Sequence, residues 1–150
     1  MTTITTRAAR AGDTDGLLAM MADFNQLEDL PWPRHGLEEA LARLLADARL
    51  GVVQLVVADE AVLGYFVVTW GFDLEWCGRD AFLTEFYLLP EQRGRGLGRT
   101  ALALAERLAA ELGARALHLM VRPDNAAAFR LYLAAGYESP PRVFLSKPLG

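Results

Sequence analysis

Gly94, Gly96 and Gly98 alternate with charged and apolar residues in the run Gln92–Arg99, between a strand pattern and a helix pattern. Glycines let a ligand approach the backbone N–H groups, and a helix N-terminus adds partial positive charge. Arg93, Arg95 and Arg99 bring formal charge, so the natural guest is a phosphate group. A Walker loop needs Lys-Ser/Thr after its last glycine, and none stands here. A dinucleotide fingerprint needs G-x-G-x-x-G, and the third glycine is one position out of register. A second candidate is Glu85, inside the apolar strand pattern 82–89. Plain alternation sends Leu83, Glu85, Tyr87 and Leu89 to one side and Phe82, Thr84, Phe86 and Leu88 to the other. Both faces are mostly apolar, so a carboxylate there is costly unless it is paired or working. It is either a base or half of an ion pair with an arginine, and both readings stand.

Other chemistries lack their residues. The only serines are Ser139 and Ser146, and neither sits in a nucleophile elbow. His35 and His118 have no Cys or carboxylate at ligand spacing, and the single Cys77 in a turn-like segment builds neither a disulfide nor a zinc site. No metal is expected, and His118, within the apolar run 116–121, reads as a satisfied strand histidine. No apolar run reaches the length of a membrane span, and the start lacks a signal-like stretch, so a cytoplasmic protein off the membrane is expected. With 53% hydrophobic and 23% charged residues, the chain is globular in character. Lys147 is the one lysine among 15 bases, a bias that reads as a GC-rich bacterial genome.

The elements that must position these residues follow from periodicity. Thr2–Ala9 reads as a first strand, and Asp13 caps a helix with Leu17, Leu18, Met21 and Phe24 at helical spacing. Pro31 and Pro33 break it, and Leu37, Leu41, Leu44, Leu45 and Ala48 form a second stripe. Residues 52–58 and 61–70 are strands about the turn Asp59-Glu60, and 71–80 reads as a long connection. After the strand 82–89 and the glycine loop comes a helix with Leu102, Ala105, Leu108 and Leu112 inward. A strand at 117–121, a helix at 126–135 and a final hairpin, its last strand 143–147, close the chain. One domain spanning 1–150 is expected, of mixed α/β class, its mixed sheet covered by helices.

Arg93-Gly-Arg-Gly-Leu-Gly98 matches the Q/R-x-x-G-x-G/A signature of the GNAT acetyltransferase superfamily. Asn125-x-x-Ala128-x-x-Leu131-Tyr132-x-x-x-Gly136-Tyr137 is similar to a second motif of that family, with Tyr137 where Phe is commoner. Both stand in order and at family spacing, and the chain's start and ending resemble the family too. The resemblance implies a sheet of about seven strands flanked by helices and splayed between the fourth and fifth. It also implies acetyl-CoA as donor and direct transfer to an amine without an acyl-enzyme. Arg93, Gly94, Arg95, Gly96, Leu97, Gly98, Arg99 and Thr100 would hold the pyrophosphate, and Leu88 and Leu89 would pair with the pantetheine arm. Asn125 would contact the arm from the other side. Tyr132 matches the tyrosine that protonates the leaving thiolate, and Glu85 falls where several members carry an acid. Thr84 stands one position earlier, so a paired-carboxylate site is absent.

Residues 1–80 balance at −7 and residues 81–150 at +3. No basic cluster suits a nucleic acid. The acidic half suits a small cationic amine, with Glu28, Asp29, Trp32, Trp70, Glu75 and Glu85 as its expected contacts and Asp73 and Asp80 at the mouth. The alternatives are acetylation of a protein N-terminus or lysine, and a non-catalytic acyl-CoA sensor, which would have lost Tyr132 or Glu85. Trp70, Phe72 and Trp76 form an apolar cluster for the acceptor or for a homodimer.

Overall fold

The computed structural model describes residues 3–150, which fall into two compact units divided after Met120. The first carries β1 (Thr5–Ala8), α1 (Thr14–Leu27), α2 (Leu37–Ala46), β2 (Gly51–Ala58), β3 (Ala61–Asp73), β4 (Gly78–Leu88), α3 (Leu97–Glu111) and β5 (Leu117–Leu119). The sheet order is β1-β2-β3-β4-β5, antiparallel throughout except for the parallel pair β4–β5. Thr2, where the first strand was expected to begin, lies outside the described residues.

Strand alternation sorts the core into two layers. Leu17, Met20, Met21 and Phe24 of α1 and Leu41 of α2 pack on Val53, Leu55, Val57, Tyr65, Val67 and Tyr87. Phe66 and Val68 alternate with that set and so face the other way, where α3 buries Leu97, Ala101, Leu102, Ala105 and Ala109. Covering both faces excludes water from the middle of β3 and β4, where every polar group then needs a partner.

Several expectations are corrected. Residues 71–80 are no loose connection, because β3 runs on to Asp73 and β4 starts at Gly78 around a tight 3-10 turn, Leu74–Trp76. Gly71 reads as a turn former in sequence, but a Cβ there would lie 2.5 Å from an Asp80 carboxylate oxygen, so it leaves room for that side chain. Asp13 does not cap α1 with its side chain. It turns back to take two hydrogen bonds from Arg7, both 2.9 Å, and one from the Arg10 amide.

Simple alternation also fails on β4. Glu85 pairs with Val67, but Leu83 pairs with Val68, which leaves Thr84 as the extra residue of a β-bulge. Leu83 therefore faces the α3 side, opposite to Glu85.

The second unit, from Val121, carries α4 (Ala126–Ala134). Asn125 caps it, its side-chain oxygen accepting from the Ala128 amide at 3.1 Å. No strand follows among the described residues, so the sheet has five strands and not about seven. Pro140 and Pro141 offer no N–H to a ladder. Arg142 folds back to the Pro140 carbonyl, and Val143, Phe144 and Leu145 remain exposed.

Candidate active site

The glycine loop joins the end of β4 to α3. Gly94 and Gly96 have φ of +72° and +78°, the left-handed region that glycine adopts without strain. A Cβ at either position would meet nothing within 4 Å, so the space in front of this backbone is open. No side chain caps α3, and its first N–H groups have no partner inside the helix. Arg99 and Thr100 are exposed in its first turn, and Arg95 is exposed in the loop. Leu97, by contrast, is buried and anchors the helix. Open backbone donors, a helix N-terminus and two exposed guanidiniums suit the pyrophosphate of an acyl-CoA.

Arg93 points elsewhere. Its Nε donates to the Leu88 carbonyl at 2.9 Å and an Nη lies 3.4 Å from Asp23. Its guanidinium carbon stands 5.2 Å from the centre of the Tyr87 ring. The Tyr87 hydroxyl also donates to Asp23. Burial, and then the carboxylate it bonds to, pushes that phenol up to about 12, so it stays a donor at neutral pH.

β4 and β5 part early. They pair only from Ala81 to Leu83, while β4 continues to Leu88. Leu89 gives its amide to the Leu63 carbonyl and its carbonyl to the Gln92 amide, so it is already engaged. Alternation then turns the backbone of Leu88 and Phe86 away from β3, toward the side that β5 has left. Of the two leucines expected to face the pantetheine arm, Leu88 has its backbone on the side that β5 has left, where its carbonyl already accepts from Arg93.

Glu85 forms the ion pair that the sequence left open. Oε2 accepts from Nη1 of Arg34 at 2.9 Å, and Oε1 accepts from the Tyr65 hydroxyl at 2.7 Å. Tyr65 is fully buried, and burial followed by the Glu85 charge raises its phenol far above the usual range. Two lone-pair positions on the carboxylate remain unused by these bonds.

Between these two clusters α1 borders an open groove of about 520 Å³, lined by Ala22, Asp23, Gln26, Asp29, Leu30 and Trp32. Asp23 joins it to the glycine loop through Arg93. Trp32 joins it to Glu85, since the Arg34 guanidinium carbon lies 5.8 Å from the Trp32 ring centre. Asp29 and Trp32 both line this groove. Glu28, Trp70 and Glu75 do not line the groove. Trp70 donates to the Ala48 carbonyl at 2.9 Å and stacks with Arg79, and Glu75 lies in the hairpin turn with Asp73. Asp80 is buried on His118 at 3.0 Å, away from any mouth. In the second unit Tyr132 packs edge-on to Tyr137 with ring centres 5.9 Å apart.

Sequence reading missed Asp23, Gln26, Arg34, Tyr65 and Tyr87. Asp23 had one visible signal, an acid beside Phe24 on the apolar stripe of α1. Tyr65 and Tyr87 read as core aromatics, and only the pairing of β3 with β4 sets them opposite each other.

A five-stranded mixed sheet that parts beside an uncapped, glycine-led helix is a GNAT-type acetyltransferase fold. Residues 17–137 match the acetyltransferase (GNAT) family, and the chain belongs to it as an acyltransferase of the N-acetyltransferase kind. A curated relative is the thialysine N-epsilon-acetyltransferase of Bos taurus, 28% identical over 140 residues, 87% of this chain and 81% of the relative. Among solved structures, an integron cassette protein from the mobile metagenome of Cole Harbour Salt Marsh is 31% identical. Its TM-score is 0.82, over 97% of this chain and 90% of that one. An aminoglycoside N-acetyltransferase in complex with CoA shares the fold at TM-score 0.77 and 19% identity, over 99% of this chain and 96% of its own. Among the described residues no helix is long and apolar enough to cross a membrane, and no group of three or more His, Cys, Asp or Glu is placed to hold a metal.

Proposed function

We propose that the chain, acting as one domain over residues 1–150, transfers acetyl from acetyl-CoA directly to the primary amine of a small cationic acceptor. The observation that carries this is the acidic groove. Its Asp23 touches Arg93 at the start of the glycine loop, and its Trp32 touches the arginine that holds Glu85. A cation in that groove stands between the phosphate cradle and a carboxylate. The names of the curated relatives, which acetylate the amine of thialysine, support a small amine.

Acetyl-CoA supplies an acetyl thioester. The amides of the loop and first α3 turn would bind its pyrophosphate, with Arg95 and Arg99 alongside and Leu88 at the arm, and the family resemblance makes Asn125 a further contact of that arm. An amine with a solution pKa of about 10 reaches the groove protonated and attacks only after losing a proton. Glu85 takes that proton through a water, using lone pairs that Arg34 and Tyr65 leave unused. The amine nitrogen would bond to the acyl carbon as the carbon–sulfur bond breaks; Tyr132, which the family resemblance makes the thiolate's acid, would protonate the sulfur, and the proton still on the acylated nitrogen would return to its phenolate through solvent. Asp23 and Asp29 raise the local concentration of a cationic acceptor, an effect that salt screens.

A thiol-release assay across polyamines, amino acids, aminoglycosides and N-terminal peptides tests the reading. Turnover with small cationic amines, at a KM that rises with ionic strength, is the expected result. Preference for a neutral or anionic acceptor, or for peptides alone, would overturn it.

A further inference from the structure

Arg34 sits in the segment between α1 and α2, with its side chain three-quarters buried. One end of its guanidinium is satisfied by Glu85 through Nη1. Nε and Nη2 are also buried, and neither has a hydrogen-bond partner among the described residues. Those two nitrogens form one edge of the planar group, and their parallel N–H bonds match the two oxygens of a single carboxylate. Withdrawing two donors of a charged group from water without an acceptor is costly, and Glu85 offers nothing to this edge.

We propose that this edge seats the carboxylate of the acceptor, which makes the acceptor a free amino acid. The inference rests on the reading that the adjoining groove takes a small amine. The neighbours fit a molecule carrying both charges. Trp32 faces the Arg34 guanidinium and lines the same groove as Asp23 and Asp29. An ammonium group answers those acids, while a carboxylate answers the vacant arginine edge. A polyamine supplies the first and leaves Arg34 unsatisfied. Admitting the carboxylate would require Trp32, 42% exposed beside the guanidinium, to turn aside.

The test compares amino acids with their C-terminal amides, which keep size and amines but lose the carboxylate charge. The pairs are lysine with lysinamide and ornithine with its amide, both with acetyl-CoA. Wild-type protein is expected to favour the acid of its preferred pair by about 10- to 100-fold in kcat/KM, most of it in KM. Arg34→Gln should bring that ratio close to one. Arg34→Lys, which keeps the charge and loses the fork, should give a value between. Glu85→Gln should retain the preference even where it slows turnover. The ratio is internal to each variant, so a partial loss of folded protein does not distort it. Wild-type turnover of acids and amides alike, or of other amines only, would overturn the carboxylate seat and leave amine acetylation standing. Preference retained in Arg34→Gln would also overturn it. Acetyl-CoA binding without turnover of any amine would bring down the functional reading, and this inference with it.

Discussion

Glu85→Gln separates charge from hydrogen bonding at the centre of the site. Glutamine keeps one acceptor for Arg34, and its amide can donate to the Tyr65 hydroxyl, whose hydrogen then turns away. The bonds survive in altered direction, and the main loss is the carboxylate charge opposite a guanidinium 2.9 Å away. Breaking a fully buried ion pair costs about 3–5 kcal/mol. Here the two side chains keep 25% and 15% of their exposure, so about 2 kcal/mol is the reasonable figure. For a chain of this length that lowers Tm by about 4–8 °C. Arg34→Met should cost a similar amount, and the double variant should fall short of additivity by about 1–3 kcal/mol. Thermal unfolding of the four proteins measures the cycle, and single shifts below about 1 °C that simply add would refute the pairing argument. Turnover then separates structure from chemistry. Tyr65→Phe loses the hydrogen bond but keeps the charge, so it should lose stability and retain most activity. Glu85→Gln should lose activity at neutral pH and regain part of it at alkaline pH, where the amine needs no base. Wild-type turnover by Glu85→Gln at pH 7 would leave Glu85 a structural residue only.

Saturating acetyl-CoA should raise Tm of the wild-type protein and leave Gly96→Val unmoved, because a branched side chain strains the left-handed backbone and fills the open space before it; an equal shift in both would remove the loop from donor binding. Tyr132→Phe should hold donor affinity and lose kcat by about 10²-fold in a thiol-release assay. Asp29→Asn should raise KM for a cationic acceptor several-fold and flatten its dependence on salt, with kcat little changed. Hydrogen bonding to Arg7 and then to the Arg10 amide holds Asp13 down to about 2, below the usual carboxylate range. The stability this provides is complete above the unfolded carboxylate's range near pH 4 and is lost as pH falls through about 2. Denaturant titrations should therefore show Asp13→Asn trailing wild type by about 1 kcal/mol at pH 6, after screening of the partly exposed Arg7, and level with it below pH 2.

The helices and first strands were legible because one face of each is apolar at a clean period. Leu17, Met21 and Phe24 on α1, and Leu102 and Ala105 on α3, face the core as their spacing requires. The errors share a cause: composition reports which residues favour a turn or a strand but not what lies across from them. Gly71 looks like a loop glycine until Asp80 is seen opposite it, and Val143–Lys147 looks like a strand although no ladder forms there among the described residues. The bulge at Thr84 has no compositional mark at all, yet it decides which face Glu85 shares with its neighbours.

The proposed site is legible in sequence where its chemistry is local and opaque where it is assembled. A phosphate cradle needs consecutive backbone donors, so the run from Arg93 to Arg99 carries its meaning in one dimension. An acceptor site is built from side chains far apart in the chain: Arg34 reaches Glu85 across 51 positions, Asp23 reaches Tyr87 across 64 and Arg93 across 70. Glycine spacing announces the loop, but nothing in the sequence says that Arg93 leaves the cradle to bind Asp23. That departure matters for the chemistry. Arg93 offsets the charge of one groove acid and ties α1 to the end of β4, while Arg95 and Arg99 stay exposed on the cradle. On the proposed reading the chain divides its arginines between a donor and an acceptor side, and Arg34, with one edge on Glu85 and the other without a partner among the described residues, is the one that would read the acceptor.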